Sequence, residues 1–275
     1  MNMALFEQEK KSVPIKASDS ASWLLSHGIS SISTVGLAEL LGIPKNQIPS
    51  RMAALKRRHA IISPAHGLWI PVPPEYMTWG APPAIDMIDA LMRHMGVDYY
   101  IGWLSAAQLH GASHHAPQVF QVATSRMVRN RVSGRTRFQF YHRARIGHIH
   151  LAKVEARSCM VPVSSKETTL LDVANDIEIA GGIDNAANII IELCEEAEPD
   201  IAKIIDLSAH YPVTALRRLG YLLDEYSDIS GLDTLRDACS KHNEAPSILD
   251  PQAEKNGAIN RDWNIRINRE VSLDI

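Results

Sequence analysis

The chain has 275 residues, of which 45% are apolar and 21% charged, and its formal net charge is −3. These values are typical of a globular protein and exclude the collagen-like, disordered and disulfide-scaffold classes. No apolar run approaches the roughly 18 residues of a membrane span. Residues 1–11 lack the apolar stretch of a secretory signal, and the three cysteines are widely spaced. We therefore expect a reduced, cytoplasmic protein without membrane contact.

The charges are unevenly distributed along the chain. Residues 1–98 carry a net charge of +1, residues 99–154 carry +8 without any acidic residue, and residues 155–275 carry −12. Residues 45–58 also hold five basic residues and no acid. Two basic stretches favour a polyanionic partner, because clustered Lys and Arg release the counterions condensed on a phosphate backbone. A solvated basic face without a partner is the alternative for either stretch.

The N-terminal part predicts a leader at residues 1–17 and then two short helices. Ser and Asp caps at residues 18–20 precede a first helix that ends at Gly28. The leucines of Leu37–Leu41 share one face of a second helix, and Gly42 supplies the sharp turn that follows it.

A third helix is predicted from Asn46 to about Arg58. Lys45 or Asn46 is its N-cap, and Asn46 is the better of the two by residue type. Pro49 falls in its first turn or just past it, where a missing N–H costs little. His59 follows the helix at a place often held by glycine. Three large apolar residues lie at helical spacing on one face of this helix: Ile48, Met52 and Leu55. Six other positions are polar or basic: Gln47, Ser50, Arg51, Lys56, Arg57 and Arg58.

Two apolar runs follow the third helix, at Ala60–Ser63 and Leu68–Val72, and Pro64–Gly67 turns between them. This pattern predicts a β-hairpin. Three short helices, a glycine turn before the third, and a hairpin immediately after it are typical of a winged helix-turn-helix. We therefore expect a DNA-binding domain at residues 18–75 whose third helix enters a major groove.

The remainder, residues 76–275, predicts a domain of helices around a small mixed sheet, so the fold class is α+β. The proline-rich residues 73–83 predict a linker. Strands are predicted at Val119–Thr124, Phe138–Tyr141, His148–Val154, Met160–Val163 and Trp263–Asn268. Helices are predicted at Ala84–Met95, up to Gly111, after the capping box Ser164–Glu167, and at Asp184–Glu196, Pro199–Leu207, Val213–Glu225 and Leu232–Ser240. Within Val213–Glu225 the leucines predict a core face, with Arg217 and Arg218 on the outside.

Several motifs in this order resemble the AbiEi-type antitoxin family of type IV toxin–antitoxin systems. They lie at Tyr99–Gly111 (YYIGWLSAAQLHG), Ala123–Arg126 (ATSR), Ser164–Asp172 (SSKETTLLD), Ala215–Glu225 (ALRRLGYLLDE) and Leu249–Asn268 (LDP…DWNIRIN). The resemblance covers roughly residues 19–268. No single motif is diagnostic, but their order and spacing are fairly specific.

The resemblance implies an antitoxin of a bacterial abortive-infection operon, a phage defence, and not an enzyme. Its winged helix would bind inverted repeats of double-stranded DNA in its own promoter and repress transcription. Its C-terminal domain would counter a nucleotidyltransferase-like toxin without forming a stable complex.

The candidate DNA-binding residues lie on the third helix and the wing. Amide side chains pair with adenine, Arg51 pairs with guanine, and Ser50 suits a base or a phosphate. The remaining cations suit phosphate contacts, and His66 lies at the wing tip. The full set is Lys45, Asn46, Gln47, Ser50, Arg51, Lys56, Arg57, Arg58 and His66.

A second basic patch is predicted in the acid-free stretch, as a strand–loop–strand excursion. It consists of Arg126, Arg129, Arg131, Arg135 and Arg137, and Arg143 and Arg145 follow it. The patch suits a bent duplex beside the winged helix, or a partner of the toxin, or charge balance against the acidic C-terminal part. The residues leave these three interpretations open.

Two other function classes stay open. A DNA-targeted, metal-dependent nuclease or phosphotransferase requires carboxylates from Asp172, Asp176 or Glu178 to converge in a cleft. A protein-interaction module requires a winged helix that binds protein. We predict no catalytic residue, metal or cofactor. The histidines of the acid-free stretch lack the spacing of a zinc site, and Asp172 lies between core leucines, where a hydrogen bond between helices is its commoner use.

Overall fold

The computed structural model describes residues 14–112, 119–144, 146–242 and 244–273. Contacts between residues divide the chain into two compact units. Unit 1 comprises Met1–Val97, Arg129–Phe138 and Glu155–Val161, and unit 2 comprises Asp98–Val128, Gln139–Val154 and Pro162–Ile275. The secondary structure is mixed α+β, as predicted. The domain limits at 18–75 and 76–275 stay a prediction.

Unit 1 contains the three helices and the hairpin predicted for the N-terminal part, in the predicted order, and also the helix predicted at Ala84–Met95 for the C-terminal domain. The helices are α1 (Ser20–Ser26), α2 (Thr34–Leu41), α3 (Ile48–Arg57) and α4 (Ala84–Met95). The strands are β1 (Ile32–Ser33), β2 (Ile61–Ala65) and β3 (Leu68–Pro71). The Ser33 hydroxyl caps α2 by accepting from the Gly36 N–H. Gly42 ends α2 with φ +63°, a conformation that favours glycine.

The hairpin β2–β3 packs with the three helices around one apolar core. β3 lies between β1 and β2 and is antiparallel to both. Leu24, Leu37, Ile48 and Met52 are fully buried in this core. The apolar spacing of each helix therefore determines which face it turns to solvent.

The linker predicted at residues 73–83 is more ordered than its prolines suggested. Pro74–Trp79 forms a 3-10 helix, with a proline in its first turn, that ends at Gly80 with φ +80°. Proline is compatible with a first helical turn because the N–H it lacks has no partner there.

A sheet of parallel and antiparallel strands lies at the centre of unit 2. Its strands are β4 (Tyr99–Ile101), β5 (Phe120–Thr124), β8 (Leu151–Glu155), β9 (Met160–Ser164) and the second half of β7 (Thr136–His142), in the order β7-β5-β4-β9-β8. β4 is antiparallel to β5 and parallel to β9. The first half of β7 belongs to unit 1, where it pairs with β6 (Arg131–Ser133).

Helices cover the rest of unit 2 and form its large apolar core. They are α5 (Trp103–Leu109), α6 (Lys166–Asn175), α7 (Ile183–Glu196), α8 (Ile201–Ser208), α9 (Val213–Tyr226) and α10 (Leu232–Ser240). A small sheet follows, composed of β10 (Ser247–Ile248), β11 (Ala258–Asn260) and β12 (Ile265–Ile267). The predicted capping box does not form with Ser164 as the cap. The N-cap of α6 is Ser165, whose hydroxyl accepts from the Thr168 N–H at 3.2 Å, and the Ser165 N–H donates to the His150 carbonyl rather than to Glu167.

The prediction that Arg217 and Arg218 face outward from α9 is wrong. Both are buried, with 0% and 6% of their surface exposed. Helix α9 is surrounded on more than its leucine face, because Gly220 lets the Trp263 ring pack directly against its backbone. A Cβ at Gly220 would lie only 2.0 Å from Trp263 Cζ3. The arginines therefore need internal acceptors.

The strand predicted at His148–Val154 begins three residues later, at Leu151. His148 ends a 3-10 helix, Ile146–His148, and its ring stacks on that of His210 with the centroids 5.1 Å apart. His114 and His115 lie outside the described residues. None of the helices that the structure describes combines the length and apolar character needed to cross a membrane.

Candidate nucleic-acid interface

Helix α3 presents a polar and basic face to solvent because its apolar residues point inward. Ile48, Met52 and Leu55 are at most 3% exposed. Every residue predicted to bind DNA is exposed: Lys45, Asn46, Gln47, Ser50, Arg51, Lys56, Arg57, Arg58 and His66. We call this set the basic helix face. It contains no acidic residue, so the surface favours a polyanion.

The start of α3 differs in detail from the prediction. Lys45–Gln47 forms a 3-10 turn, and Gln47 rather than Asn46 is the N-cap, without a side-chain capping bond. Pro49 lies in the first turn of α3, as expected. The Ser50 hydroxyl donates to the Gln47 carbonyl at 2.8 Å, so its hydrogen is used within the turn. Asn46 and Gln47 therefore project from the turn that precedes the helix.

The end of α3 and the wing are fixed by local contacts. His59 adopts φ +56°, the left-handed conformation that usually selects glycine. The Lys56 ammonium lies 6.0 Å from the centroid of the Trp69 ring on β3. At the wing tip, the His94 imidazole bonds the His66 carbonyl at 2.9 Å, which leaves the exposed His66 ring outside this contact.

The residues of the second basic patch are divided between the two units. Arg126 belongs to unit 2, whereas the other four arginines belong to unit 1. Arg126, Arg129, Arg135 and Arg137 are exposed. Arg131 is half-buried, and its guanidinium donates to the Pro64 carbonyl at 2.9 Å. Arg131 therefore fastens its hairpin to β2, whereas Arg129, Arg135 and Arg137 of the same unit lie exposed at the surface.

Arg143 has a different environment, within unit 2. Its guanidinium lies 2.7 Å from Asp172 and 2.6 Å from Asp176, both on or next to α6. It also lies over the Trp103 ring, 5.2 Å from the centroid. The Asp172 carboxylate is fully buried and accepts further bonds from the Tyr100 and Tyr211 hydroxyls at 3.0 and 2.8 Å. We call these six residues the ionic cluster.

Burial determines the protonation of the ionic cluster. It raises the pKa of Asp172 to about 6, against the opposing effect of Arg143. It also raises the pKa values of Tyr100 and Tyr211, which keeps both hydroxyls protonated as donors. Burial opposes the charge of Arg143, but the two carboxylates outweigh it and raise the pKa of the guanidinium. Arg143 thus stays charged.

The same geometry weakens the interpretation of these carboxylates as metal ligands. Both oxygens of Asp172 accept bonds from Arg143 or tyrosine, and both oxygens of Asp176 accept bonds, from Arg143, Trp103 and Asn175. Glu178 is exposed. Among the described residues, no group of three or more His, Cys, Asp or Glu side chains is arranged to hold a metal ion.

Sequence reasoning placed Arg143 in a basic stretch and did not find its partners. One signal was present: Asp172 lies on a helix flanked by Leu171 and Val173, and a buried carboxylate needs donors. The identity of those donors depends on tertiary contacts between residues 29 to 72 positions apart.

Comparisons with known proteins identify the larger part of unit 2. Residues 100–225 match the family model of the AbiEi antitoxin C-terminal domain, and this segment contains the whole ionic cluster. The fold resembles the crystal structure of the RV2827C protein from Mycobacterium tuberculosis, with a TM-score of 0.65 and 16% identity over 92% of each chain. At that identity the likeness concerns the fold alone. No curated protein matches the sequence.

The antitoxin family suggested by the sequence motifs is thus supported for the segment that begins at β4 and ends in α9. An antitoxin domain implies a role in a toxin–antitoxin system and a toxin as partner. The match over residues 100–225 supports an AbiEi-type antitoxin.

Proposed function

We propose that this protein is both the antitoxin and the transcriptional autorepressor of its operon. The residues that precede the antitoxin domain would act as a winged helix that binds inverted repeats in the promoter. The observation that carries this proposal is the basic helix face: nine exposed polar or basic side chains with no acid among them, on and beside a helix whose opposite face is buried. A repressor of its own promoter works in the cytoplasm, in contact with DNA.

The recognition chemistry divides the basic helix face into two groups. Asn46, Gln47 and Arg51 lie at the N-terminal end of α3, the end that contacts base edges in helix-turn-helix proteins. Their amide and guanidinium groups match adenine and guanine. Arg57 and Arg58 lie at the opposite end and suit phosphates, which position the protein without reading the sequence.

For the second activity, we propose that the C-terminal domain counters a nucleotidyltransferase-like toxin without a stable complex and without an enzymatic step of its own. The match over residues 100–225 supports the antitoxin part of this proposal. The satisfied carboxylates of the ionic cluster support a structural rather than a catalytic role for Asp172 and Asp176.

DNA binding is tested by titrating purified protein onto the promoter fragment and onto a shuffled duplex at several salt concentrations. Arg51→Ala is expected to reduce the free energy of DNA binding by about 1–3 kcal/mol and to relax the sequence preference. Arg58→Ala is expected to weaken binding to all sequences alike. Arg93→Ala is the matched control, because Arg93 is already paired with Asp89 at 2.9 Å. A salt-independent affinity, or equal affinity for both duplexes, would rule out the repressor.

The two activities are separated in cells that express the adjacent toxin gene. Arg51→Ala is expected to lose promoter repression and to keep the rescue of growth, because the base-reading residue is not part of the antitoxin domain. If the wild-type chain failed to rescue growth, the antitoxin assignment would be contradicted, whereas the DNA-binding result would be unaffected.

A further inference from the structure

The two basic stretches of the sequence meet in unit 1 at Gly80. The contact is shown by the space around this glycine, which ends the 3-10 helix Pro74–Trp79. A Cβ placed on Gly80 would lie 3.1 Å from Gly134 Cα and 3.7 Å from His59 Nδ1. His59 directly follows Arg57 and Arg58 at the end of α3, and Gly134 directly precedes Arg135. The phosphate end of the basic helix face therefore continues into residues 129–138, which we call the arginine hairpin.

The arginine hairpin is fixed at this place by main-chain contacts. The Arg135 N–H donates to the Trp79 carbonyl at 3.0 Å. Gly134 packs so closely there that a Cβ would lie 2.4 Å from the same carbonyl oxygen, and its φ of +57° also favours glycine. At the other end, Arg131 bonds the Pro64 carbonyl of the wing. The hairpin is therefore held in position before any ligand binds.

Strand register determines which side chains point outward. Arg131 pairs with Phe138, Val132 with Arg137, and Ser133 with Thr136. Phe138 and Ser133 are buried, so the alternate positions Val132 and Arg137 face solvent. Arg135 is exposed at the turn.

These outward charges are not balanced by neighbouring acids. Among the residues that the structure describes, neither Arg135 nor Arg137 pairs with a carboxylate. Glu75, on the 3-10 helix beside them, is already paired with Arg157 at 3.0 Å. This arrangement disfavours charge balance as the purpose of the arginine hairpin.

We propose that the arginine hairpin is a second wing, which binds the phosphate backbone of duplex DNA on the side of the α3 C-terminus. It lengthens the surface formed by Arg57 and Arg58 and adds Arg135 and Arg137 as phosphate contacts. The proposal rests on the proposed DNA binding and deepens it. Because these residues touch phosphates only, they add affinity and salt dependence but no sequence preference.

The test compares Arg135→Ala/Arg137→Ala with the wild-type chain on promoter and shuffled duplexes across a salt series. The slope of log affinity against log salt is expected to fall by about two, and affinity to weaken roughly tenfold or more on both duplexes. Arg93→Ala serves as control and should match the wild type. A geometric variant, Gly134→Ala, keeps all charges but displaces the turn, and it is expected to weaken binding in the same sequence-independent way.

The outcomes distinguish this proposal from the one on which it rests. If the double variant binds like Arg93→Ala while Arg51→Ala and Arg58→Ala are weakened, the second wing is wrong and the repressor stands. If the double variant loses only the rescue of growth, the hairpin serves the toxin and the second wing is again wrong. If the wild-type chain shows no salt-dependent DNA binding, both proposals fall.

Discussion

The arginines of unit 1 and those of unit 2 show how little clustering alone says about a charge. In unit 1, four arginines are exposed and have no acidic residue directly beside them in the sequence. They are Arg57, Arg58, Arg135 and Arg137. In unit 2, Arg217 and Arg218 are buried against backbone carbonyls. Arg143 comes from the same acid-free stretch as Arg135, yet it neutralises two carboxylates. An arginine with internal acceptors stabilises the fold, and one without them is available to a partner.

Among the arginine substitutions, Arg143→Met should reduce the stability of the fold most strongly. It leaves the fully buried Asp172 charge without its cation, and removing one partner of a buried pair costs about 3–5 kcal/mol. Urea unfolding at pH 7 measures the loss. Arg137→Met, which removes an exposed guanidinium, is the control and should change stability by less than about 0.5 kcal/mol.

The penalty of Arg143→Met should depend on pH. The pKa of Asp172 in the folded protein, about 6, lies above its ordinary value of 3.8. The folded state therefore binds a proton more readily than the unfolded state between these values. Loss of Arg143 raises this pKa further, so the penalty is larger at pH 7 than at pH 5. An equal penalty at both pH values would show that Asp172 is not the uncompensated group.

Arg217→Met should have the next largest effect. The Arg217 guanidinium donates to the carbonyls of Ala245 and His242 at 2.9 and 3.0 Å and to the Ser247 hydroxyl at 3.2 Å. Methionine fills much of the volume but leaves the buried Ser247 hydroxyl and the two partly buried carbonyls without their donor, at a cost of about 2–4 kcal/mol. Thermal or urea unfolding tests this, with the exposed Arg261→Met as control. A stability close to that of the control would mean that water replaces the lost donors.

Arg218→Lys should have a smaller effect because it keeps the charge. Burial lowers the pKa of Arg218 to about 10, so the side chain is still charged at neutral pH. The Arg218 guanidinium donates from Nε to the Ile248 carbonyl at 2.9 Å and from Nη1 to the Ala174 carbonyl at 3.2 Å. A lysine ammonium cannot reach both carbonyls in the same geometry. We expect a loss of about 1–2 kcal/mol. A loss as large as that of Arg217→Met would indicate that the guanidinium geometry matters more here than the retained charge.

Much of this fold follows from local sequence. The period of Ile48, Met52 and Leu55 predicts which face of α3 is exposed, and Gly42 predicts the turn before it. The burial of Arg217 could not be predicted in this way, because leucine spacing identifies one packed face of α9 and gives no information on a second. Gly220, in the middle of that helix, was the signal that another side chain packs closely there.

The candidate surface was predictable only in part. Its helix was predictable from residues 45–58, but its continuation was not, because the contact between His59, Gly80 and Gly134 joins three distant segments. The prolines before Gly80 indicated a linker, whereas they begin a 3-10 helix. A contact of this kind depends on tertiary packing, which cannot be predicted from hydrophobic periodicity or from the distribution of charge along the sequence.

Arg57→Met is expected to have the smallest effect on stability. It also separates the two kinds of arginine most clearly, because it should weaken DNA binding and leave stability nearly unchanged. Arg57 is exposed, and among the described residues it makes no ion pair, so its loss should change the free energy of unfolding by less than about 0.5 kcal/mol. The same substitution should reduce the salt slope of DNA binding by about one, since one phosphate contact is removed. Arg217→Met should do the reverse, with lower stability and an unchanged slope while the protein stays folded. If Arg57→Met instead destabilised the protein and left DNA binding intact, exposure would not separate binding arginines from structural ones in this chain.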